Sequence, residues 1–456
     1  MQLVIAFFLL LAVAAHEWPS PLGLESDSHR LWAVVFVQVL LSGVACCGWG
    51  RLLHRQPWFP LLCWTVGSTI VTVGLGWSQW VSQHWGTVPS LGALLILGPH
   101  LASLLFVWAV PLTLAHRGTP PSPARHPTCW RSSVWNPLLT RIQWQLFPIL
   151  LPLAIVLIAR DLLEQSSLWH QLTTTWQIGL LSTASMLVVL LIFPSVLKFW
   201  LPTGPLPHTD LQKLVDRTDR ELQLKLSETA EWQTGHRLAN ALVLGWLPGT
   251  RRILISDVLC WALTPPQLFA VFLHEAGHLK HHHLWWRLSV IVLAGEVLLL
   301  GSIATQRELN LDQVGISPDA LLAILGMIGL LLLTALLMGY VSRALEFEAD
   351  SFALEYMKAM RTDFTGSPTA TDFSTGPDDL ISAIRSTAEL TGISPDQVTW
   401  MHPSISERIE RLRLCQTSPT MLLVMRRRLR VLKAALFGVI VLCAIVLALH
   451  EWAWNT

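Results

Sequence analysis

Long apolar runs alternate with short polar gaps through the first 200 residues. The runs cover residues 31–50, 61–80, 91–115, 146–158 and 176–200, and all but the fourth reach the roughly 20 residues that cross about 30 Å of hydrocarbon as a helix. Residues 1–15 form a further apolar run ending in small residues, read as a short uncleaved first span or a signal peptide without a basic start. The pattern changes after Pro202. Residues 208–240 are rich in charge, and 210–226 place Leu211, Leu214, Leu222 and Leu226 at near-helical spacing. Short strands are expected at 231–235, 242–246 and 252–256, the last two joined through Pro248 and Gly249. Helical spans return at 284–304 and 321–341, followed by a helix at 343–360, a Thr/Ser/Gly/Pro-rich loop at 362–379, short helices at 379–390 and 406–414, and a last apolar run at 432–449.

The fold class that follows is mainly α: a polytopic membrane bundle of about 8–9 spans carrying a soluble part with a small β-sheet. Its parts are 1–200, an N-terminal transmembrane region; 201–283, soluble; 284–341, a transmembrane hairpin; 342–425, soluble again; and 426–456, a C-terminal transmembrane helix. Composition agrees, because 52% hydrophobic and 13% charged residues are too apolar for a soluble chain of 456 residues. Many of the 23 tryptophans, among them Trp32, Trp49, Trp58, Trp80, Trp200, Trp285, Trp286 and Trp452, stand near the ends of apolar runs as an interfacial belt would. A net charge of +1 gives no ground for a nucleic-acid partner. Cys46, Cys47, Cys63 and Cys443 lie within apolar runs, and no cysteine pair has metal-ligand spacing.

Charge also sets an expected orientation. Arg51, Arg55, Arg117, Arg125, Arg131 and Arg141 fall in alternate gaps, whereas 81–90 and 161–175 hold no Lys or Arg. Positive loops stay in the cytoplasm, which puts 202–283 and 342–432 on that side, in a bacterial inner membrane. The cluster Arg426, Arg427, Arg428, Arg430 and Lys433 before the last run agrees.

The candidate chemistry lies between Leu273 and His283, L-H-E-A-G-H-L-K-H-H-H. His274 and His278 are four apart, hence on one helix face, with Glu275 on its flank; this is the spacing of two imidazoles on one zinc ion with a carboxylate over a bound water. Thr264 is the expected cap, Pro265 and Pro266 occupy the first turn, and Gln267 completes a capping box. His281, His282 and His283 are expected as a polar helix end. Glu296, inside the next span, is expected to find a polar contact in the bundle. A catalytic zinc takes three protein ligands and keeps a position open for water; Glu346 is the expected third, and Asp350, one turn on, the acceptor that fixes a ligand imidazole. The competing reading makes Glu346, Glu348, Asp350 and Glu355 a solvated acidic face.

H-E-A-G-H followed by S-R-A-L-E-F-E-A-D resembles the membrane-embedded zinc metalloproteases of the CaaX prenyl protease and bacterial heat-shock membrane protease family, whose pattern is H-E-x-x-H then E-x-x-x-D. Asn240, Ala241 and Gly245, the stretch 252–257, and His402, Pro403, Arg408 and Ile409 are similar to further segments of that family, so the resemblance covers about 205–415. The extra N-terminal run and the C-terminal span depart from the prenyl protease arrangement. The resemblance implies a zincin-like catalytic domain facing the cytoplasm. His274, His278 and Glu346 would bind one zinc, Glu275 would be the general base, and His402 would hold the substrate carbonyl or the developing oxyanion. The expected partners are the lipid bilayer and a peptide or protein substrate, membrane-associated or misfolded, added as a strand to the segment that begins at Arg252 and ends at Ser256. Two other readings stay open on the sequence: a membrane sensor-transducer, and a non-catalytic scaffold retaining a structural zinc.

Overall fold

The computed structural model describes residues 33–40, 64–118 and scattered positions from 138 to 197, then 201–308, 318–363 and 376–455, apart from isolated positions within these stretches. The runs expected at 1–15 and 176–200, most of the loop 116–145 and the core of the loop 362–379 lie outside the described residues. The chain divides into two compact units, residues 1–190 with 309–327, and 191–308 with 328–456.

In the first unit, the run expected as one span at 61–80 is broken. A π-helix spans Ile70–Gly74, a bend follows at Leu75, and α1 runs Trp77–Trp85. Gly74 ends the π-helix at that bend, and glycine is a poor residue for holding a helix through it. Helix α2, Pro89–Gly118, covers the expected span at 91–115. Trp64, Val71, Leu104 and Trp108 form its buried core with Trp77 and Ile96. His100 is buried there between Gln38 and Thr72, each 3.2 Å from a ring nitrogen.

The second unit opens with β1 (Thr203–Gly204) and α3 (Thr209–Leu222), then β2 (Leu226–Trp232), β3 (Ala241–Leu244) and β4 (Arg251–Ser256). Helix α3 buries Leu211 and Val215 and stops at Gln223, whose backbone turns left-handed at φ 54°. The chain therefore enters β2 five residues before the strand start expected at 231. Strand order is β1-β2-β4-β3, with β2 parallel to β4 and the outer pairs antiparallel. The β3–β4 hairpin turns at Gly245, where φ is +90° and a Cβ would come within 2.3 Å of the Thr250 carbonyl oxygen, so only glycine fits.

Helices α4 (Asp257–Ala262), α5 (Pro265–Lys280), α6 (His283–Glu308), α7 (Pro318–Asp363, in this unit from Ile328 onward), α8 (Pro377–Thr391), α9 (Ile405–Thr417) and α10 (Pro419–Asn455) complete the unit, giving a mostly helical fold with a small mixed sheet. Ile253 and Ile255 of β4, Phe269, Phe272 and Leu273 of α5, and Leu354 and Met357 of α7 share one buried core. Val290 and Leu293 of α6, Met338, Val341 and Leu345 of α7, and Leu429, Leu436 and Cys443 of α10 form another. Among the described residues one helix, Thr420–Leu449 within α10, is long and apolar enough to cross a membrane, and Leu94–Ala109 is a shorter apolar helix. Cys260, Cys415 and Cys443 are free and buried.

Candidate metal centre

Helix α5 starts as its sequence dictates. The Thr264 N–H donates to Gln267 Oε1 at 2.9 Å, prolines fill the first turn, and Gln267 Nε2 reaches Ser382 Oγ of α8 at 3.0 Å. Three turns later His274 and His278 face α7. The helices approach closely because Gly277 meets Ala349: a Cβ on Gly277 would lie 3.0 Å from the Ala349 Cα. The two small residues stand in the two motifs, H-E-A-G-H and E-F-E-A-D, so each motif supplies ligand-type side chains and also the room to bring them together.

His274 Nε2 and His278 Nε2 are 3.2 Å apart, and the Glu346 carboxylate lies 3.6 Å from the first and 3.5 Å from the second. Four-coordinate zinc with bonds of about 2.0–2.1 Å has ligand-to-ligand edges of about 3.3–3.4 Å, so the donor set fits such an ion in type and size. These three side chains are a group able to hold a metal ion. His274 Nδ1 lies 2.9 Å from Asp350 Oδ1, where Asp350 was expected to act. Arg408 of α9 holds that carboxylate from the other side through Nε at 2.8 Å and a terminal nitrogen at 2.6 Å. The acidic face of α7 is accordingly not solvated: Glu346 and Asp350 are each 2% exposed.

The field at this point favours a cation. Burial pushes the His274 imidazole down, but Asp350 and Glu346 outweigh it and raise its pKa to about 10. Burial works against the Glu346 carboxylate too, yet His274, His402 and His278 hold it well below the usual range. For Asp350, burial is likewise overcome, here by the Arg408 guanidinium, leaving a pKa of about 2. Burial lowers His278 well below its ordinary value. An imidazolium proton held between carboxylates stands where a divalent ion would replace it.

Glu275 lines the same cleft, of about 350 Å³, and burial raises its carboxyl pKa above the ordinary value. His402 enters from the loop before α9, half-exposed, with Nδ1 3.0 Å from Glu346 Oε2. All six side chains singled out from the sequence, His274, Glu275, His278, Glu346, Asp350 and His402, are thus brought together. Arg287 of α6 was not anticipated: a terminal nitrogen lies 3.0 Å from Glu346 Oε1. Nothing in the sequence marks it, since the contact joins positions 59 residues apart.

Two expectations are corrected. His281, His282 and His283 are not simply a polar helix end. His282 adopts φ +56°, which folds the chain back so that His283, 1% exposed, meets His278 and Glu348. The strand that begins at Arg252 and ends at Ser256 has no edge for an added strand, because β4 pairs with β2 on one side and β3 on the other. The outer strand is β3, and Asn240, Ala241, Leu242 and Val243 line the cleft. Glu296 does not line it, and its buried Oε2 has no hydrogen-bond partner among the described residues. A larger cavity of about 870 Å³ between α8 and α9 contains no histidine or cysteine.

Residues 205–415 match the pattern of peptidase family M48. The chain is 27% identical over 167 residues to the CAAX prenyl protease 1 homolog of Arabidopsis thaliana, covering 34% of this chain and 39% of that protein. It is 27% identical over 175 residues to the Protease HtpX homolog of Helicobacter pylori, covering 38% and 56% respectively. The matches therefore span between two fifths and just over half of these relatives. The crystal structure of S. mikatae Ste24p aligns with 88% of this chain and 98% of its own at 14% identity and a TM-score of 0.40. The match to peptidase family M48 thus covers the part of the chain that carries both halves of the metal centre.

Proposed function

We propose that the chain is an integral-membrane zinc metalloendopeptidase that hydrolyses peptide bonds of membrane-associated or misfolded proteins, its cleft facing the cytoplasm of a bacterial inner membrane. The observation that carries the reading is the convergence of His274 Nε2, His278 Nε2 and the Glu346 carboxylate in a cleft that Glu275 also lines. His274, His278 and Glu346 would hold the ion. Zinc bound there supplies Lewis-acid activation of water and of the scissile carbonyl. Glu275 takes the proton of the attacking water and passes it to the leaving amine, a role suited by a carboxyl that burial holds above its ordinary pKa. His402 donates to the carbonyl oxygen as negative charge develops there. Asp350 keeps the His274 ring in place, and Arg408 keeps Asp350 charged.

Substrate lies as an added strand on β3, where main-chain hydrogen bonds hold an extended peptide with little regard to its side chains. The cytoplasmic orientation is supported by the arginines of alternate gaps in the first 200 residues. The test is Glu275→Gln on full-length protein in detergent. The variant should retain one zinc per chain while cleavage of a casein-like substrate falls by about 10²–10⁴-fold. Wild-type cleavage by that variant, or wild-type protein that binds no zinc, would overturn the reading.

A further inference from the structure

The second nitrogen of His278 meets residues that no role above uses. His278 Nδ1 and His283 Nδ1 are 2.6 Å apart. His283 Nε2 is 2.8 Å from Glu348 Oε2, and Lys433 Nζ of α10 is 2.7 Å from that same oxygen. His281 Nδ1 stands 3.4 Å from the other oxygen of Glu348. Lys433 also lies 5.5 Å from the centre of the Trp286 ring, and only 17% of its side chain is exposed. Its position follows from packing, since Leu429, Leu432 and Leu436 of α10 seat against α6 and α7 in one apolar cluster.

One assignment of protons satisfies every link. Lys433 donates to Glu348; His283 Nε2–H donates to Glu348; His283 Nδ1 is then an acceptor and takes the proton carried by His278 Nδ1. His278 is left neutral with a bare Nε2, the form a metal ion needs. A polar helix end has no reason to bury a histidine to 1% exposure and join it to two other elements.

We propose that His283, Glu348 and Lys433 are positioning residues that fix the tautomer and ring plane of His278, and that through Lys433 the seating of the C-terminal helix sets the metal affinity of the site. The proposal rests on the zinc reading above. It extends that reading from the cleft to α10, the helix containing the apolar stretch Thr420–Leu449.

Zinc affinity of the full-length protein in detergent, measured by competition with a chromogenic chelator, tests it. His283→Ala and Glu348→Ala should weaken zinc by about 10–100-fold. Lys433→Met should weaken it less, about 3–10-fold by the same reasoning, and Lys433→Arg, which keeps a donor, should restore most of the loss. Melting temperatures taken with excess chelator separate a lost fold from lost affinity, and Lys433→Met supplies a milder probe should His283→Ala fail to fold. Cobalt(II) in place of zinc should show a shifted visible spectrum in the His283 variant, which a purely structural contact would not produce. If folded His283→Ala, or Lys433→Met in its place, binds zinc as the wild type does, the relay is overturned while the zinc reading stands. If the wild type itself binds no zinc, the reading beneath it has failed.

Discussion

His274 and His278 sit one turn apart on α5, yet their far nitrogens are held in different ways. His274 Nδ1 meets a carboxylate directly, Asp350, which a cation from α9, Arg408, grips through two nitrogens. His278 Nδ1 reaches its carboxylate, Glu348, only through a second imidazole, and the cation there, Lys433, comes from α10. Both arrangements end in a charge-balanced pair, but the first is shorter, more buried and two-pronged. A planar guanidinium matches a carboxylate through fixed geometry, while an ammonium acts as a point charge. The stability of the fold should therefore depend on the first support, and the adjustment of the metal site on the second.

The sharpest way to break that contrast is Asp350→Ala. It strands the Arg408 charge in the interior, and removing one member of a buried pair costs about 3–5 kcal/mol, so both thermal stability and zinc affinity should fall. A variant melting within about a degree of wild type would show that the two supports are equivalent.

Acid provides a gentler version of the same cut. The Asp350 carboxyl moves from an ordinary 3.8 down to about 2 in the folded chain. A depressed carboxyl contributes stability that is present above its unfolded value and lost as pH falls through the folded one. The window here is thus about pH 4 to 2, and the contribution about 2 kcal/mol. Metal-free wild type should accordingly lose stability across that window, and Asp350→Asn should lose less between the same two pH values.

Gly277→Ala comes next. The added methyl meets the Ala349 Cα at 3.0 Å and must push α5 and α7 apart by a few tenths of an ångström. The expected cost is about 1–3 kcal/mol of stability, accompanied by weaker zinc binding, because Glu346 retreats from both imidazoles together. Smallest is Lys433→Met, which should leave the melting temperature of the metal-free protein nearly unchanged and shift only affinity.

The first support was legible in the sequence and the second was not. Thr264, Pro265, Pro266 and Gln267 announce where α5 begins, and such capping is a local matter. Glu346 and Asp350 share a helix face, so their joint arrival at the histidines follows once the motif is seen. His283 reaches His278 only because His282 takes a left-handed conformation that its side chain does not advertise, as glycine would have done. Gln223 hid the start of β2 in the same manner. Arg287 and Lys433 come from other helices, and the central place of β4 depends on strand order, which no local alternation encodes.

The brevity of β3 bears on what can be cut. Four residues at about 3.3 Å each give a rail of roughly 13 Å, long enough to register a handful of backbone groups and too short to pry open a stable tertiary structure. With substrate seated along β3 as proposed, a target would have to arrive already slack over that length, as a frayed terminus, a loop or a damaged region, and the choice of cleavage point would follow local looseness in the target more closely than its residue types.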